Sequence, residues 1–289
     1  MKCYLSIMIT IIKKISLLTC ASIILFWLGF SAKAQEVTAA QCNGVCPVYD
    51  SSMATTRSKV VIHHVYAAGI NGDTGLADWL SYRLTKEAVG VASLLPRTWN
   101  PDRLLRFSGV DDVLEIGSSE LRLAEIAVSN SPYGGVGEIL EQEERSARLA
   151  PMTAFANTPY WSDLNNLSNM VPMPKSLRTG PWLHLEQQLN RLVTLKGELQ
   201  VITGPVFLIG NLSVSPTTIS VEPAAYYKVV VSHDNVEAFI FPKELKQFDS
   251  YCDQVTDLKQ LQRMLSIEFF PDRSLRQSGQ LLAELNCTD

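Results

Sequence analysis

The residues with the clearest chemical potential are Arg148, Asn169, Arg178 and Glu186, separated by 21, nine and eight positions. A guanidinium offers N–H donors in a fixed fork that suits phosphate oxygens. It cannot act as a general base, because its pKa exceeds about 12. A carboxylate such as Glu186 needs a cation, a bound water or an arginine beside it when it is buried. The set therefore predicts a site that can hold an anion but cannot move a proton through Arg148.

The four residues belong to short sequence phrases that occur in a fixed order. The phrases are Arg145-Ser146-Ala147-Arg148-Leu149-Ala150-Pro151, Leu167-Ser168-Asn169, Trp182-Leu183-His184-Leu185-Glu186, Val201–Phe207, Pro223–Val229 and Ser266–Pro271. Together they resemble the DNA/RNA non-specific endonuclease family, whose core reads D-R-G-H-x-A-P, S-N, an Asn, W-x-x-L-E and T-G-P. Each phrase is weak alone, whereas six in order with matching intervals are specific. The resemblance covers roughly residues 60–275.

This resemblance implies an α+β fold in which helices flank a central antiparallel sheet. It also implies a ββα-metal (His-Me finger) element running from about residue 148 to 196. In the family, Mg²⁺ held by an Asn and water neutralises charge on the scissile phosphate, and a neutral histidine takes a proton from the attacking water. The implied catalytic positions are Arg148 in the place of that histidine, Asn169, which would orient it, and Glu186, which would bind metal-bound water. DNA or RNA is the implied partner and Mg²⁺ the implied cofactor.

The sequence departs from the family at two of these positions. Arg148 replaces the general-base histidine, and Arg178 replaces the Asn that ligates the metal. A guanidinium has no lone pair to offer Mg²⁺. Two arrangements are expected: an arginine forms an internal salt bridge with Glu186, or Arg148 and Arg178 form a phosphate-binding clamp that does not cut.

Two functions follow from the resemblance and its departures. One is an exported endonuclease-like protein that hydrolyses phosphodiester bonds of DNA and RNA through a rebuilt site. The alternative is a catalytically inactive nuclease-fold module that binds nucleic acid, a phosphate-bearing ligand or a protein partner.

No other residue is an obvious replacement for the lost base. His184 falls on the solvent side of a predicted helix, and His233 lies in a predicted hairpin turn. His63 and His64 are adjacent on a predicted strand, so their side chains should point to opposite faces as structural residues. A carboxylate such as Glu143 or Glu144 could serve instead. Signatures of serine hydrolases, P-loop enzymes, zinc proteases and dinucleotide-binding proteins are absent from the sequence.

The elements that must position the site are a helix and several strands. An apolar stripe predicts a helix over residues 182–196, between Pro181 and Gly197, with Glu186 on its core-facing side. Strands are predicted over Val60–Tyr66, Trp79–Leu84, Leu199–Ile209 with a break at Thr203-Gly204-Pro205, and the hairpin Tyr226–Ser232 with Val236–Phe241. A second helix is predicted over Asp257–Ile267.

The N-terminal 34 residues have the pattern of a signal peptide: early lysines, an apolar run over Ile15–Phe30 and the cleavage signal Ala32-Lys33-Ala34. The alternative is an uncleaved membrane anchor. Cleavage would leave a secreted or periplasmic chain without a membrane segment, comprising a lead-in (residues 35–57) and an endonuclease-like domain (residues 58–289). It would remove four lysines, leaving 21 basic and 29 acidic residues, a balance of −8. That charge argues against a strong, general nucleic-acid binder.

Four cysteines remain in the mature chain: Cys42, Cys46, Cys252 and Cys287. In an oxidising compartment they are expected to form two disulfides, with three pairings open.

Overall fold

The computed structural model describes residues 36–49, 59–71, 76–106, 146–207 and 223–287. The predicted signal peptide lies outside these residues, as do Glu143 and Glu144. No helix within the described ranges is long and apolar enough to cross a membrane.

A seven-stranded antiparallel sheet forms the centre of the fold. The described strands are β1 (Thr38–Ala39), β2 (Gly44–Val45), β3 (Val48–Tyr49), β4 (Lys59–Ile62), β5 (Ala67–Ile70), β6 (Ala77–Thr85), β7 (Ser146–Arg148), β8 (Met170–Pro172), β9 (Glu198–Val206), β10 (Ala225–Ser232), β11 (Asn235–Pro242), β12 (Val255–Thr256) and β13 (Ile267–Glu268). The strand order of the central sheet is β12-β11-β10-β9-β6-β5-β4, and every neighbouring pair is antiparallel. With helices beside the sheet, the predicted α+β class is confirmed.

The run predicted as one strand, Val60–Tyr66, instead contains the end of a strand and the hairpin turn that follows it. Ile62 of β4 pairs with Ala67 of β5, so residues 63–66 form the connection between the two strands. The backbone N–H of His63 donates to the carbonyl oxygen of Tyr66 at 2.8 Å and closes this turn. The prediction that His63 and His64 alternate across a strand is therefore wrong.

The break predicted at Thr203-Gly204-Pro205 is absent, because β9 continues through these residues. Gly204 is required by close packing: a Cβ there would lie 2.3 Å from the carbonyl oxygen of Asp78. Pro205 lacks an N–H, yet it keeps its register opposite Tyr226 of β10. The T-G-P phrase thus belongs to a central strand that a neighbouring strand approaches closely.

Helix α3 (Pro181–Lys196) is the long amphipathic helix predicted from the apolar stripe. Proline occupies its first turn and Gly197, at φ 86°, ends it, as the sequence predicted. Its buried face includes Trp182, whose ring makes edge contacts with Tyr226 and Phe241 of the sheet at 6.2 and 5.4 Å between centroids. The other described α-helices are α1 (Arg103–Arg106), α2 (Lys175–Arg178), α4 (Leu258–Leu265) and α5 (Gln280–Glu284).

The element that carries the site is a short hairpin followed by helices. Arg148 at the end of β7 pairs with Met170 at the start of β8, and the chain then continues into α2 and α3. This ββα order carries residue 148, Asn169, Arg178 and Glu186 one after another along a single stretch of chain, from the end of β7 to the second turn of α3.

The cysteines pair as Cys42 with Cys46 and Cys252 with Cys287. The first bridge joins Cys42, in the turn between β1 and β2, to Cys46, the residue directly after β2. Residues 48–49 of the predicted lead-in form β3, which pairs with β13 near the C-terminus. The two predicted disulfides are thus present, and the structure selects one of the three pairings.

Candidate functional site

Arg148 is held by protein acceptors and by an aromatic ring. Its Nε donates to the carbonyl oxygen of Leu164 at 3.2 Å, and its Nη2 donates to Oδ1 of Asn165 at 2.6 Å. The guanidinium carbon lies 4.2 Å from the centroid of the Trp99 ring, in cation–π contact. These contacts fix both the plane and the position of the guanidinium, so the charge at residue 148 is oriented rather than free to swing.

Asn169 is fully buried and braces the backbone around Arg148. Its Oδ1 accepts from the N–H of Ala150 at 2.8 Å, while its Nδ2 donates to the carbonyl oxygens of Ala150 at 3.1 Å and Leu164 at 2.9 Å. The carbonyl of Leu164 therefore receives donors from both Asn169 and Arg148. The amide acts on the loop that carries residue 148, whereas the family resemblance implied that it orients the side chain at that position.

Arg178 is the last residue of α2 and is half-buried. Its backbone N–H donates to the carbonyl oxygen of Pro174, the residue before the helix, at 2.9 Å, which is the i→i−4 bond of this single turn. The same loop-and-helix unit leads through Gly180 into α3 and Glu186. In chain order Arg178 thus lies between the hairpin of Arg148 and the helix of Glu186, and its guanidinium offers positive charge but no metal ligand.

Glu186 is buried on the sheet side of α3, as its place on the apolar stripe predicted, and it is paired with a lysine of the central sheet. Nζ of Lys228 on β10 donates to Oε1 of Glu186 at 2.8 Å, and both side chains are almost fully buried. The Lys228 ammonium also lies 4.0 Å from the centroid of the Trp182 ring. The predicted salt bridge between Glu186 and an arginine is therefore wrong, because the positive charge beside Glu186 belongs to Lys228 on β10.

Burial shifts both groups of this pair towards their neutral forms. It raises the pKa of the Glu186 carboxyl, and the positive charge and hydrogen bond of Lys228 offset only part of that rise. Burial likewise lowers the pKa of the Lys228 ammonium, against the stabilising charge of Glu186. The attraction between the two opposite charges, 2.8 Å apart, therefore offsets part of the cost of burying each of them.

The sequence contains a signal for the position of Lys228, because the phrase Pro223–Val229 includes this residue. The family resemblance predicts no role for the lysine. A lysine whose side chain is buried against a central strand needs an acidic partner. The buried stripe residue Glu186 was the available acid.

A second ionic group, also missed from the sequence, joins the β4–β5 turn to the loop before α1. Nε2 of His63 lies 2.7 Å from Oδ2 of Asp102, which is fully buried. The hydroxyl of Ser168 also donates to Oδ2, and the hydroxyls of Ser168 and Tyr66 are 2.7 Å apart. Nδ1 of His63 faces the amide of Asn166 at 3.4 Å. His63 thus has a buried carboxylate partner that its sequence position did not reveal.

The His63–Asp102 pair predicts a specific acid sensitivity. Burial raises the pKa of Asp102, but the hydrogen bond and charge of His63, with the bond from Ser168, outweigh it, so the pKa lies below its ordinary value. A carboxyl with a depressed folded pKa contributes stability that is complete above its unfolded pKa, about 3.9, and is lost as pH falls through the folded value. We expect the free energy of unfolding to fall more steeply below about pH 4 in the wild type than in Asp102→Asn.

Denaturant titrations from neutral pH down to about pH 2.5 measure this difference. Asp253→Asn, at an exposed position, serves as the control and should follow the wild type. Parallel curves for the wild type and Asp102→Asn would show that His63 does not stabilise the carboxylate.

The described side chains do not fit the magnesium site that the resemblance implies. Arg178 stands where an amide oxygen is needed, and the Glu186 carboxylate is bonded to Lys228. Among the described residues, no three His, Cys, Asp or Glu side chains cluster in a way that could hold a metal ion. No step of a reaction is therefore assigned to Mg²⁺ at this position.

Comparison with known proteins agrees with this architecture. Residues 149–274 match the family model described as DNA/RNA non-specific endonuclease. The chain is 24% identical over 220 residues to a nuclease of Serratia marcescens, covering 73% of each protein. A crystal structure of an EndoG/EndoGI complex shares the fold, with a TM-score of 0.53 at 17% identity, over 73% of this chain and 85% of that one. The segment of residues 149–274, which carries Asn169, Arg178 and Glu186, thus matches the DNA/RNA non-specific endonuclease family.

Proposed function

We propose that this chain is an exported member of the family that binds the phosphodiester backbone of DNA or RNA at Arg148 and Arg178 without hydrolysing it by the family's magnesium-dependent route. The observation that carries the proposal is the buried ion pair of Glu186 with Lys228. It gives the glutamate a protein partner at the point where the family resemblance implies hydrated metal.

The loss of hydrolysis rests on the chemistry of two positions. A general base must accept a proton from water, and the guanidinium of Arg148 holds its proton at any ordinary pH. A magnesium ligand must present an oxygen, and Arg178 presents N–H groups. General-base catalysis alone contributes about 10²- to 10⁴-fold in rate, so the first change by itself removes most of the hydrolytic rate.

The retained capacity for anions rests on the way in which Arg148 is held. Leu164, Asn165 and Trp99 fix its guanidinium, so little side-chain entropy is lost when an anion docks against it. Because the mature chain carries a balance of −8, the long-range field does not attract nucleic acid. Binding should therefore be local, involve few phosphates and weaken as salt is added.

Cleavage and binding assays on the mature chain test the two halves of the proposal. With supercoiled plasmid and with RNA, we expect no cutting above the level of the Arg148→Ala/Glu186→Ala variant, in magnesium or in chelator. Fluorescence anisotropy should show salt-dependent binding of a labelled oligonucleotide that Arg148→Ala weakens about tenfold.

Arg263→Ala on α4 is a matched control, since it removes an exposed arginine away from the site. Magnesium-dependent cutting that disappears in the double variant would contradict the proposal. If neither Arg148→Ala nor Arg178→Ala weakens oligonucleotide binding, the two arginines do not form the proposed phosphate-binding clamp.

A second candidate is hydrolysis through a rebuilt site, favoured by the His63–Asp102 pair. A carboxylate bonded to one ring nitrogen is the arrangement that orients a histidine as a base. Against it, the His63 side chain is only 9% exposed and its other nitrogen faces Asn166. Cutting by the wild type that is lost in His63→Gln would select this candidate.

A further inference from the structure

Tyr160 and His64 form an exposed aromatic stack on the surface of the protein. Their ring centroids are 4.1 Å apart and the ring planes differ by 3°, so the rings lie face to face. Tyr160 is 46% exposed although His64 covers one of its faces, and the His64 side chain is 63% exposed. Two parallel rings thus present outer surfaces to solvent instead of packing into the core.

The stack is held in place by Asp163. Its Oδ2 accepts from the backbone N–H of His64 at 3.1 Å and lies 3.1 Å from Nδ1 of the same imidazole. The backbone N–H of Asp163 donates to the carbonyl oxygen of Tyr160 at 3.0 Å. Asp163 therefore holds the His64 imidazole and the backbone of Tyr160, and we call the stacked pair the platform.

The platform and the Arg148 site share one short element. A 3₁₀ helix, Trp161–Asn165, begins directly after Tyr160 and includes Asp163. Its far end supplies the Leu164 carbonyl and the Asn165 amide that hold Arg148 against Trp99. Five residues at about 2.0 Å each place the two ends about 10 Å apart. That is the length of about three stacked nucleotides at roughly 3.4 Å per nucleotide.

We propose that the Tyr160–His64 platform stacks an unpaired base of a single strand whose backbone lies at Arg148. This inference rests on the proposed function and adds the substrate class: single-stranded DNA or RNA. Every base presents a flat π-face, so an aromatic platform beside a phosphate site holds a strand without reading its sequence. A strand bound at Arg148 has the reach to place a base about three nucleotides away on the outer face of the stack.

Strands with and without bases separate stacking from phosphate binding. Fluorescence anisotropy compares an oligothymidylate, an oligouridylate and an abasic strand of equal length and charge. The wild type should bind the strands with bases about tenfold more tightly than the abasic strand. The two base-containing strands distinguish DNA from RNA as the source of the base, and either one bound in preference to the abasic strand supports the inference.

Three variants assign that preference to the ring of Tyr160. Tyr160→Ala and Tyr160→Leu should lose the preference while still binding the abasic strand like the wild type, whereas Tyr160→Phe should keep it. Leucine retains bulk, so its agreement with alanine shows that the π-face matters. Phe248→Ala removes another exposed ring, 92% exposed, and should change nothing.

Different results would overturn the inference and the proposed function. If Tyr160→Ala, with a wild-type circular dichroism spectrum, keeps the preference for bases, the platform is wrong while phosphate binding at Arg148 stands. A wild type that binds abasic and base-containing strands equally has the same meaning. A wild type that binds no strand overturns the proposed function and the platform with it.

Discussion

Lys228→Met should lower the free energy of unfolding by about 3–5 kcal/mol, because it leaves the Glu186 carboxylate buried without its countercharge. Methionine retains much of the volume beside Trp182, so the loss reports the charge more than a cavity. Chemical denaturation at neutral pH measures it. The loss should shrink as pH falls, since burial raises the Glu186 pKa and a protonated carboxyl no longer needs a partner.

Two further variants make this result interpretable. Lys228→Met/Glu186→Leu removes both charges and should recover most of the lost stability, because an apolar pair replaces a buried ion pair at little cost. Lys196→Met breaks the partly exposed pair of Lys196 with Glu284, whose atoms are 2.6 Å apart, and should cost less than about 1 kcal/mol. If Lys228→Met and Lys196→Met lower the free energy of unfolding equally, the buried ion pair stabilises the fold no more than the partly exposed one.

The sequence was most informative where local pattern and tertiary packing agree. The stripe through α3 predicted the helix, its proline start and its glycine end, because amphipathic period and capping are local properties. The same stripe predicted that Glu186 is buried and that His184 faces solvent, and both hold in the structure. The β10–β11 hairpin was also predicted correctly, from its two β-branched and aromatic runs and the polar turn between them.

The sequence failed where a partner comes from a distant segment. Glu186 required a cation, but its choice of Lys228 depends on how α3 lies over β10, across 42 residues. The β-branched residues before His63 predict a strand there, and no local pattern connects the histidine to Asp102, 39 residues away. Spacing predicts which residues share an element, whereas the pairing of charges is decided by how elements pack.

Arg148 shows how family resemblance and physical chemistry combine. The resemblance supplied the position, and the guanidinium's chemistry excluded proton transfer there. The structure then added the contacts with Trp99 and Asn165, which no motif had indicated. These contacts turn the substitution from a lost base into a fixed cation, which is the feature that the proposed phosphate binding requires.

Asn169→Ala should lower the free energy of unfolding by about 3 kcal/mol, because three buried hydrogen bonds, two to Ala150 and one to Leu164, lose their partner at once. Asn166→Ala is the matched control, since that half-buried amide makes a 3.4 Å contact with His63 and a side-chain hydrogen bond with Tyr66, which itself bonds to Ser168, and it should cost about 1 kcal/mol. Urea denaturation of the two variants beside the wild type gives both values.

The same variant separates a positioning role from a merely structural one. Asn169 and Arg148 donate to one carbonyl, that of Leu164, and Asn169 also fixes Ala150, two residues after Arg148. If the amide positions the guanidinium, Asn169→Ala should weaken oligonucleotide binding severalfold at temperatures where it remains fully folded, and its salt dependence should become shallower. Full-strength binding by the folded variant would mean that Trp99 and Asn165 suffice to hold Arg148. The amide inherited from the nuclease family would then serve only the stability of the hairpin.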